Sequence, residues 1–449
     1  MSESWRDMDM ANPTEEHSML REMVRNFVRD RVEPQALEND RDERFNIGLF
    51  REMGSMGLLG LTVPHEYGGA GMDATSVAIV NEELSYSDPG LCLAFLAHDQ
   101  LFVNNLVHSG TDAQKDRILP KVCSGEWVGC LGMSEPDYGT DVLGMQTNAT
   151  IRDDGSWVIN GRKMWITNGI IDEDGTPADV DWLYARTGTD DRGRAEITTF
   201  LVERGMDGFS AGQKITDKLG MRASTTAELV FEDCVVPAEN VVGKPGESMI
   251  HLMRNLEHER VGLAAMSLGI ARRCLHDMNS YATEREAFGK QIRDFGQIQR
   301  HIGESWAEYR AMRAYVYDTA RQIELSEAGH RLDSDGVKLY ATTAAKNIAD
   351  RAIQVMGGYG YVGEYVVERM WRDAKLLEIG GGTLESHQKN ITKDLKRDPG
   401  AIDSCPAFDV FYFGSPARIR TRVPGTKTRD DGPLHYGTPA GPQCRGSCI

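Results

Sequence analysis

The stretch Leu252-Met253-Arg254-Asn255-Leu256-Glu257-His258-Glu259-Arg260-Val261-Gly262-Leu263-Ala264-Ala265-Met266-Ser267-Leu268-Gly269-Ile270 sets Leu252, Leu256, Leu263, Met266 and Ile270 at alternating intervals of four and three that pass through Glu259. That is the period of one helical face, and Glu259 falls on the same face. The helical period starts past Gly243 and persists to about Leu395, interrupted by glycines at Gly357–Gly360 and Gly380–Gly382. Upstream, between about Gly129 and Val242, the pattern changes to short runs rich in Val, Ile, Thr and aromatics, such as Trp157–Asn160, Trp182–Ala185, Ile197–Val202 and Glu228–Phe231. Turn signals at Asp153-Asp154-Gly155-Ser156 and Glu173-Asp174-Gly175 separate them, so this third reads as antiparallel β. From about Glu15 to Val122 the apolar spacing is again three and four, as in Met19, Met23, Phe27 and Val28, with breaks at Pro64, Gly68 and Pro89.

The order α, β, α predicts a multidomain α+β protein: a helical domain over 1–125, a β domain over 126–242 and a helical domain over 243–395. Residues 396–449 turn rich in Pro, Gly, Arg and Asp without apolar period, and read as a disordered tail. With 449 residues, 40% of them hydrophobic, the chain folds without help from disulfides or metal, and no metal site is expected. Its 50 Lys plus Arg against 68 Asp plus Glu give a formal charge of −18, which argues against nucleic acid or an anionic membrane as partner. A polyanionic ligand would need locally placed cations. The eight Cys form no CxxC pair and read as reduced thiols. No stretch reaches the ~18 apolar residues of a membrane span. The acidic start lacks a signal or transit pattern, so the expectation is a cytoplasmic protein, or a mitochondrial-matrix one whose targeting segment is missing.

Four places offer chemistry. Gly132–Asp141 brings hydroxyls, backbone amides and a Gly turn into one loop, which alone reads either as a structural turn or as a cradle for a polar ring or phosphate. Met164–Gly169 ends a strand with Trp165 and Thr167 placed to stack on and hydrogen-bond a planar group; a lone Trp is as readily a core residue. Glu259 either flanks a ragged stripe paired with Arg260, or is a buried general base whose raised pKa suits removal of a weakly acidic proton. Glu378–Thr383 leads into a helix with Thr383 as N-cap, either as a flexible turn or as a backbone surface that a ligand approaches closely.

Taken together, MSEPDYGTD at 133–141, KMWITNG at 163–169, DKLGMRAS at 217–224, FEDCVVPAENVVG at 231–243, REAFGKQI at 285–292, QVMGGYGY at 354–361 and RDAKLLEIGGGT at 372–383 resemble the acyl-CoA dehydrogenase family, in its order and at its spacing. The resemblance spans about Glu15 to Leu395 and implies an all-α N-terminal domain, a middle β domain and a C-terminal four-helix bundle. It implies FAD as cofactor, an acyl-CoA substrate, an electron-transfer flavoprotein as electron acceptor and a homotetramer built as a dimer of dimers. Carried over by position, Leu131, Met133, Ser134 and Thr140 with Trp165, Ile166 and Thr167 hold the isoalloxazine. Arg285 and Phe288, with Gln354, Val355, Met356, Gly357 and Gly358, hold the rest of FAD from a neighbouring subunit, and Thr383 and Glu385 complete the flavin site. Thr140, Glu257, His258, Arg260, Gly381 and Gly382 fall at substrate contacts.

Most family members place the catalytic Glu directly before the Gly-Thr pair near the C-terminus, where this chain has Gly381. A minority carry it on the earlier helix, in a pattern like Leu256-Glu257-His258-Glu259-Arg260, so the resemblance and the helical face choose the same residue. The isovaleryl-CoA branch is the nearer likeness, which implies α,β-dehydrogenation of a short branched acyl-CoA. Tyr138, Gly296 and the Ile171–Pro177 insertion depart from that branch. Another acyl chain, or a flavin-dependent oxidase or lyase on the same scaffold, stays open.

Overall fold

A computed structural model describes residues 9–403 of the chain. The chain divides into a unit ending at Pro399 and a second from Gly400, of which only residues 400–403 are described. The expected tail lies outside the described residues from 404 onward, and residues 396 and 397 finish the last long helix.

The N-terminal helices are α1 (Glu15–Phe27), α2 (Glu33–Arg41), α3 (Ile47–Ser55), α4 (Ala74–Ser85), α5 (Pro89–Leu96), α6 (Asn104–Ser109) and α7 (Asp112–Cys123). Their starts are written in the sequence. Thr14, Asp73 and Asp88 accept the first free N–H groups of α1, α4 and α5, and Thr111 with Gln114 forms a capping box on α7. A π-helical turn, Ala97–Val103, carries α5 into α6.

The strands are β1 (Gly129–Gly132), β2 (Asn148–Ile151), β3 (Trp157–Thr167), β4 (Val180–Thr189), β5 (Ala195–Glu203), β6 (Phe209–Lys214), β7 (Thr226–Val236) and β8 (Val241–Val242), in the order β6-β7-β3-β2-β4-β5-β8 with β1 against β4. The sheet is mostly antiparallel, as expected, with one difference. Gly129–Gly132 lies parallel to Val180–Leu183, and Asn148 pairs in parallel with Arg186. β1 arrives from α7 and takes a slot beside an interior strand, and no local pattern records that direction.

Beyond Gly243 come α8 (Met249–Glu284), a hairpin of β9 (Glu286–Ala287) and β10 (Lys290–Gln291), α9 (Gly296–Ala320), α10 (Arg331–Met356), the short α11 (Gly358–Tyr361), α12 (Val366–Leu377) and α13 (Leu384–Arg397). Thr383 caps α13, accepting from the Ser386 N–H, as its sequence predicts. Helix α8 packs along α10 and also touches α4, α9 and α12, so residues 257–271 are buried on every side. The one-face reading of α8 is therefore too narrow: a helix surrounded by neighbours has no solvent face here. Its orientation is pinned by ion pairs in which Arg272 and Arg21 meet Glu82 and Glu83, and Tyr317 donates to Glu82. Breaking such a buried cluster on one side costs about 3–5 kcal/mol.

Candidate active site

The candidate residues fall into a sheet-side group, at 133–135 and 163–168, and a helical group in which the Gly381 turn and Lys338 of α10 surround Glu259 of α8. On the sheet side, β3 leaves its ladder between Lys163 and Ile166, and Trp165 stands at φ +68° with 60% of its surface exposed. The irregularity turns an indole out of the sheet, where a regular strand would pack it. The loop after β1 lies against the same strand: the Met164 N–H donates to the Ser134 carbonyl at 2.9 Å, and Lys163 Nζ donates to the Met133 carbonyl at 3.0 Å.

Beneath that loop Lys163 and Glu135 form a buried ion pair at 2.9 Å. Burial pushes the Glu135 carboxyl up, but Lys163 and the amides of Gln146 and Thr147 hold it below its usual range. Burial also pulls Lys163 down against the opposing pull of Glu135. Asp181 on β4 is fully buried with Oδ2 unpartnered, and burial pushes its carboxyl up to about 7. A Cys130 thiol contact at 3.4 Å, Lys163 and the Gly132 backbone pull against burial, and a Cβ on Gly132 would stand 2.5 Å from its Oδ2.

The sheet meets the helices through Asn168, whose Nδ2 donates to the Ala94 carbonyl of α5 at 2.9 Å. The π-helical turn beyond α5 lays Gln100 on α8, where a Cβ on Gly262 would lie 2.0 Å from Gln100 Oε1. One turn earlier, Glu259 is 7% exposed and makes no hydrogen bond or ion pair among the described residues. Burial raises its pKa against the pull of Arg260 and Lys338. Directly over it is Gly381, at φ +64°: an added Cβ there would sit 3.3 Å from Glu259 Oε1 and 2.3 Å from Leu263 Cδ1. The Gly381 N–H makes no hydrogen bond among the described residues.

The neighbouring charges on α8 are engaged elsewhere. Glu257 Oε2 accepts from the Gly329 and His330 N–H groups at 2.9 and 2.8 Å. Arg260 faces Asp335 at 3.1 Å. Burial, with His108 and Arg254 nearby, pulls His258 down to about 3. Of the residues expected at substrate contacts, Glu257 and Arg260 thus meet protein groups. Both ring nitrogens of His258 are buried without a hydrogen-bond partner among the described residues.

Residues 14–126 match the acyl-CoA dehydrogenase N-terminal domain, 130–234 its middle domain and 249–396 its C-terminal domain. The chain belongs to the acyl-CoA dehydrogenase family. It is 42% identical over 381 residues to isovaleryl-CoA dehydrogenase of Arabidopsis thaliana, covering 84% of this chain and 91% of that one. A short-chain-specific acyl-CoA dehydrogenase of Clostridium acetobutylicum is 39% identical over 388 residues, covering 86% and 99%. Among solved structures, butyryl-CoA dehydrogenase of Megasphaera elsdenii superposes with a TM-score of 0.81 at 34% identity, covering 88% and 100%. A glutaryl-CoA dehydrogenase of Mycobacterium smegmatis in complex with FADH2 does so at 0.78 and 30%, covering 86% and 95%. The protein is thus an acyl-CoA dehydrogenase, an oxidoreductase of an FAD-dependent family.

The residues present fit that cofactor. An outward indole, the half-exposed Thr167 and a loop tied to the strand by Lys163 form a surface for a planar, hydrogen-bonding ring. Farther away, Arg285, Phe288 at 96% exposure and the Gln354–Gly358 segment share one end of the bundle, where the Tyr281 and Tyr359 rings lie 6.0 Å apart. Val355 and Met356 are buried in the bundle core, while Gln354, Gly357 and Gly358 are exposed; Glu385 is exposed too. Tyr138 packs over its own loop, its hydroxyl accepting from Gln146 Nε2 at 3.3 Å. The 171–177 insertion closes compactly, with Ile170 bridged to Pro177 and Asp172 accepting from the Asp174 and Thr176 N–H groups. Among the described residues no helix is long and apolar enough to cross a membrane. Cys92, Cys123, Cys130, Cys234 and Cys274 are free and buried.

The sequence reading missed Lys163, Asp181, Asp335, Lys338 and His387. Lys338 had a signal: it falls on the spacing of the buried Ala341, Ala345 and Ile348.

Proposed function

We propose that this acyl-CoA dehydrogenase acts on a short, branched acyl-CoA of the isovaleryl kind, with Glu259 as the general base. One observation carries the reading. Glu259 is the buried carboxylate on its stretch of α8 with no hydrogen bond or ion pair among the described residues, and it lies beneath Gly381, where a Cβ would come within 3.3 Å of it and whose N–H is free to donate. Its raised pKa makes it a stronger base for an α-proton. A thioester whose oxygen accepts from the Gly381 N–H would bring its α-carbon over that carboxylate, and the same N–H would stabilise the enolate-like charge as the proton leaves. Bound FAD supplies the acceptor for the β-hydride. Trp165, Thr167 and the 131–140 loop orient that ring; Arg285, Phe288 and the 354–358 segment serve a neighbouring subunit's cofactor in a homotetramer. Thr383 and Glu385 flank the flavin, Thr140 and Gly382 line the thioester's path, and an electron-transfer flavoprotein reoxidises the enzyme.

A short chain is favoured because Leu263 fills the space beside Gly381 and Gln100 lies on Gly262 one turn beyond the base. The similarity to isovaleryl-CoA dehydrogenases supports the branched form. Anaerobic flavin bleaching by a panel of acyl-CoA esters tests the proposal: isovaleryl-CoA and its short relatives should bleach fastest. Preference for chains of eight or more carbons would refute the short-chain reading, and peroxide release in air would mark an oxidase.

A further inference from the structure

Buried polar side chains from two helices converge on a single carbonyl oxygen, that of Gly382. Lys338 Nζ, from α10, donates to it, and His387 Nε2, from α13, donates to it at 2.9 Å. The other ring nitrogen of His387 meets Asp335 Oδ1, which also faces the Arg260 guanidinium at 3.1 Å. A carbonyl only accepts, so Nε2 carries a hydrogen, and the Nδ1–Oδ1 contact to Asp335 then holds a second proton between imidazole and carboxyl. Gly381 and Gly382 stand at φ +64° and +101°, and a Cβ on Gly382 would lie 3.0 Å from His387 Cε1, so the loop rests on this imidazole. Two successive glycines have many accessible conformations. Something must select the one that lays Gly381 on Glu259.

We propose that Lys338 and the Asp335–His387 pair are positioning residues for the dehydrogenation: by holding the Gly382 carbonyl they fix the Gly381 N–H and the Glu259 carboxylate against each other. This rests on the reading of Glu259 as base. A donor lost from the clamp lets the glycine loop turn, and the thioester oxygen and α-carbon no longer meet N–H and carboxylate together. Binding elsewhere along the CoA is untouched, so the loss falls on the chemical step. Lys338 has a second effect through charge. The groups facing it are Glu259 and Arg260 on α8, Asp335 on its own helix, Glu378 after α12 and His387 on α13. Burial pulls Lys338 down to about 7 against the pull of Glu259, and its positive form in turn holds the Glu259 pKa lower.

The test uses the FAD-loaded enzyme and the variants K338M, K338R, H387F and H387Q, in which Gln keeps one N–H donor. Stopped-flow flavin reduction by isovaleryl-CoA should slow about 10- to 100-fold in K338M and H387F, with KM changed far less. The acid limb of the pH profile should move to higher pH in K338M and stay in place in K338R. A readout free of turnover is the ultraviolet absorbance of bound acetoacetyl-CoA enolate, whose apparent pKa should rise by about one unit in K338M and H387F. H387Q should recover most of the H387F loss on both measures. The proposal is overturned if K338M and H387F, with full FAD content, leave rate and enolate pKa unmoved, or if H387Q is no better than H387F. Should K338M not fold, the H387F and H387Q pair decides alone. Wild type that bleaches with no acyl-CoA would instead overturn the base reading, and the enolate titration still decides the clamp.

Discussion

Replacing Glu259 by Gln changes one oxygen to an amide in a side chain that is 7% exposed and has no hydrogen-bond partner to lose. The volume is nearly unchanged, so packing against Leu263 and Gly381 survives. Burial raises the Glu259 pKa, so the ionised form destabilises the fold, and this penalty grows as pH rises from the ordinary carboxylate value through the raised one. Glu259→Gln removes it, and the variant should melt no lower than wild type at pH 8. Losing a general base lowers the rate by ~10²–10⁴, or about 3–5 kcal/mol of transition-state stabilisation. No neighbouring carboxylate can substitute, because Glu257 is held by two backbone amides and Asp335 by His387 and Arg260.

Moving the carboxylate to residue 381 is a second test, and the structure sets its terms. A Cβ there points within 3.3 Å of Glu259 Oε1, but it collides with Leu263 Cδ1 at 2.3 Å and sits at φ +64°, which costs a non-glycine residue about 1–3 kcal/mol. E259Q/G381E should therefore fold poorly and stay inactive, while adding L263A should restore part of the rate. Anaerobic stopped-flow reduction with isovaleryl-CoA, beside FAD content and thermal melting, measures all three. An E259Q enzyme that reduces its flavin at the wild-type rate would refute the assignment.

Asp181→Asn should stabilise the protein above pH 7, by up to about 4 kcal/mol, since a carboxyl raised from 3.8 to about 7 loses stability between those values as pH rises. Denaturant midpoints at pH 5 and 8 should then differ less than in wild type; an unchanged difference refutes the buried charge as its cause. Glu135→Gln strands Lys163 and should cost about 3–5 kcal/mol while loosening FAD, read as cofactor lost on gel filtration. Retention of both stability and FAD would show the pair to be idle. Arg285→Ala and Phe288→Ala alter exposed side chains and should change the stability of the fold by under about 0.5 kcal/mol, yet lower FAD occupancy and the oligomer fraction in sedimentation. Full occupancy in both variants would remove these residues from the cofactor site.

The order of helical, sheet and helical regions was legible in apolar spacing, because period 3.6 and period 2 are local properties of the chain. The caps are local too, since Thr14, Asp73, Asp88, Thr111 and Thr383 act on N–H groups three residues away, and of these Thr383 was read from the sequence. Glu259 was legible by position but not by circumstance: the sequence shows three acidic or basic neighbours on a helix, and only packing tells which one lacks a partner. Glu257, Arg260 and Glu259 differ in what stands opposite them: the 329–330 backbone, Asp335 and Gly381, each supplied by a distant segment. The parallel seat of β1, the burial of Asp181 and the meeting of Lys338 with His387 on the Gly382 carbonyl are of the same kind. Period and capping arise within a few residues and leave a local record, whereas burial and pairing depend on which remote surface closes over a side chain, and that is decided when the helices and the sheet pack.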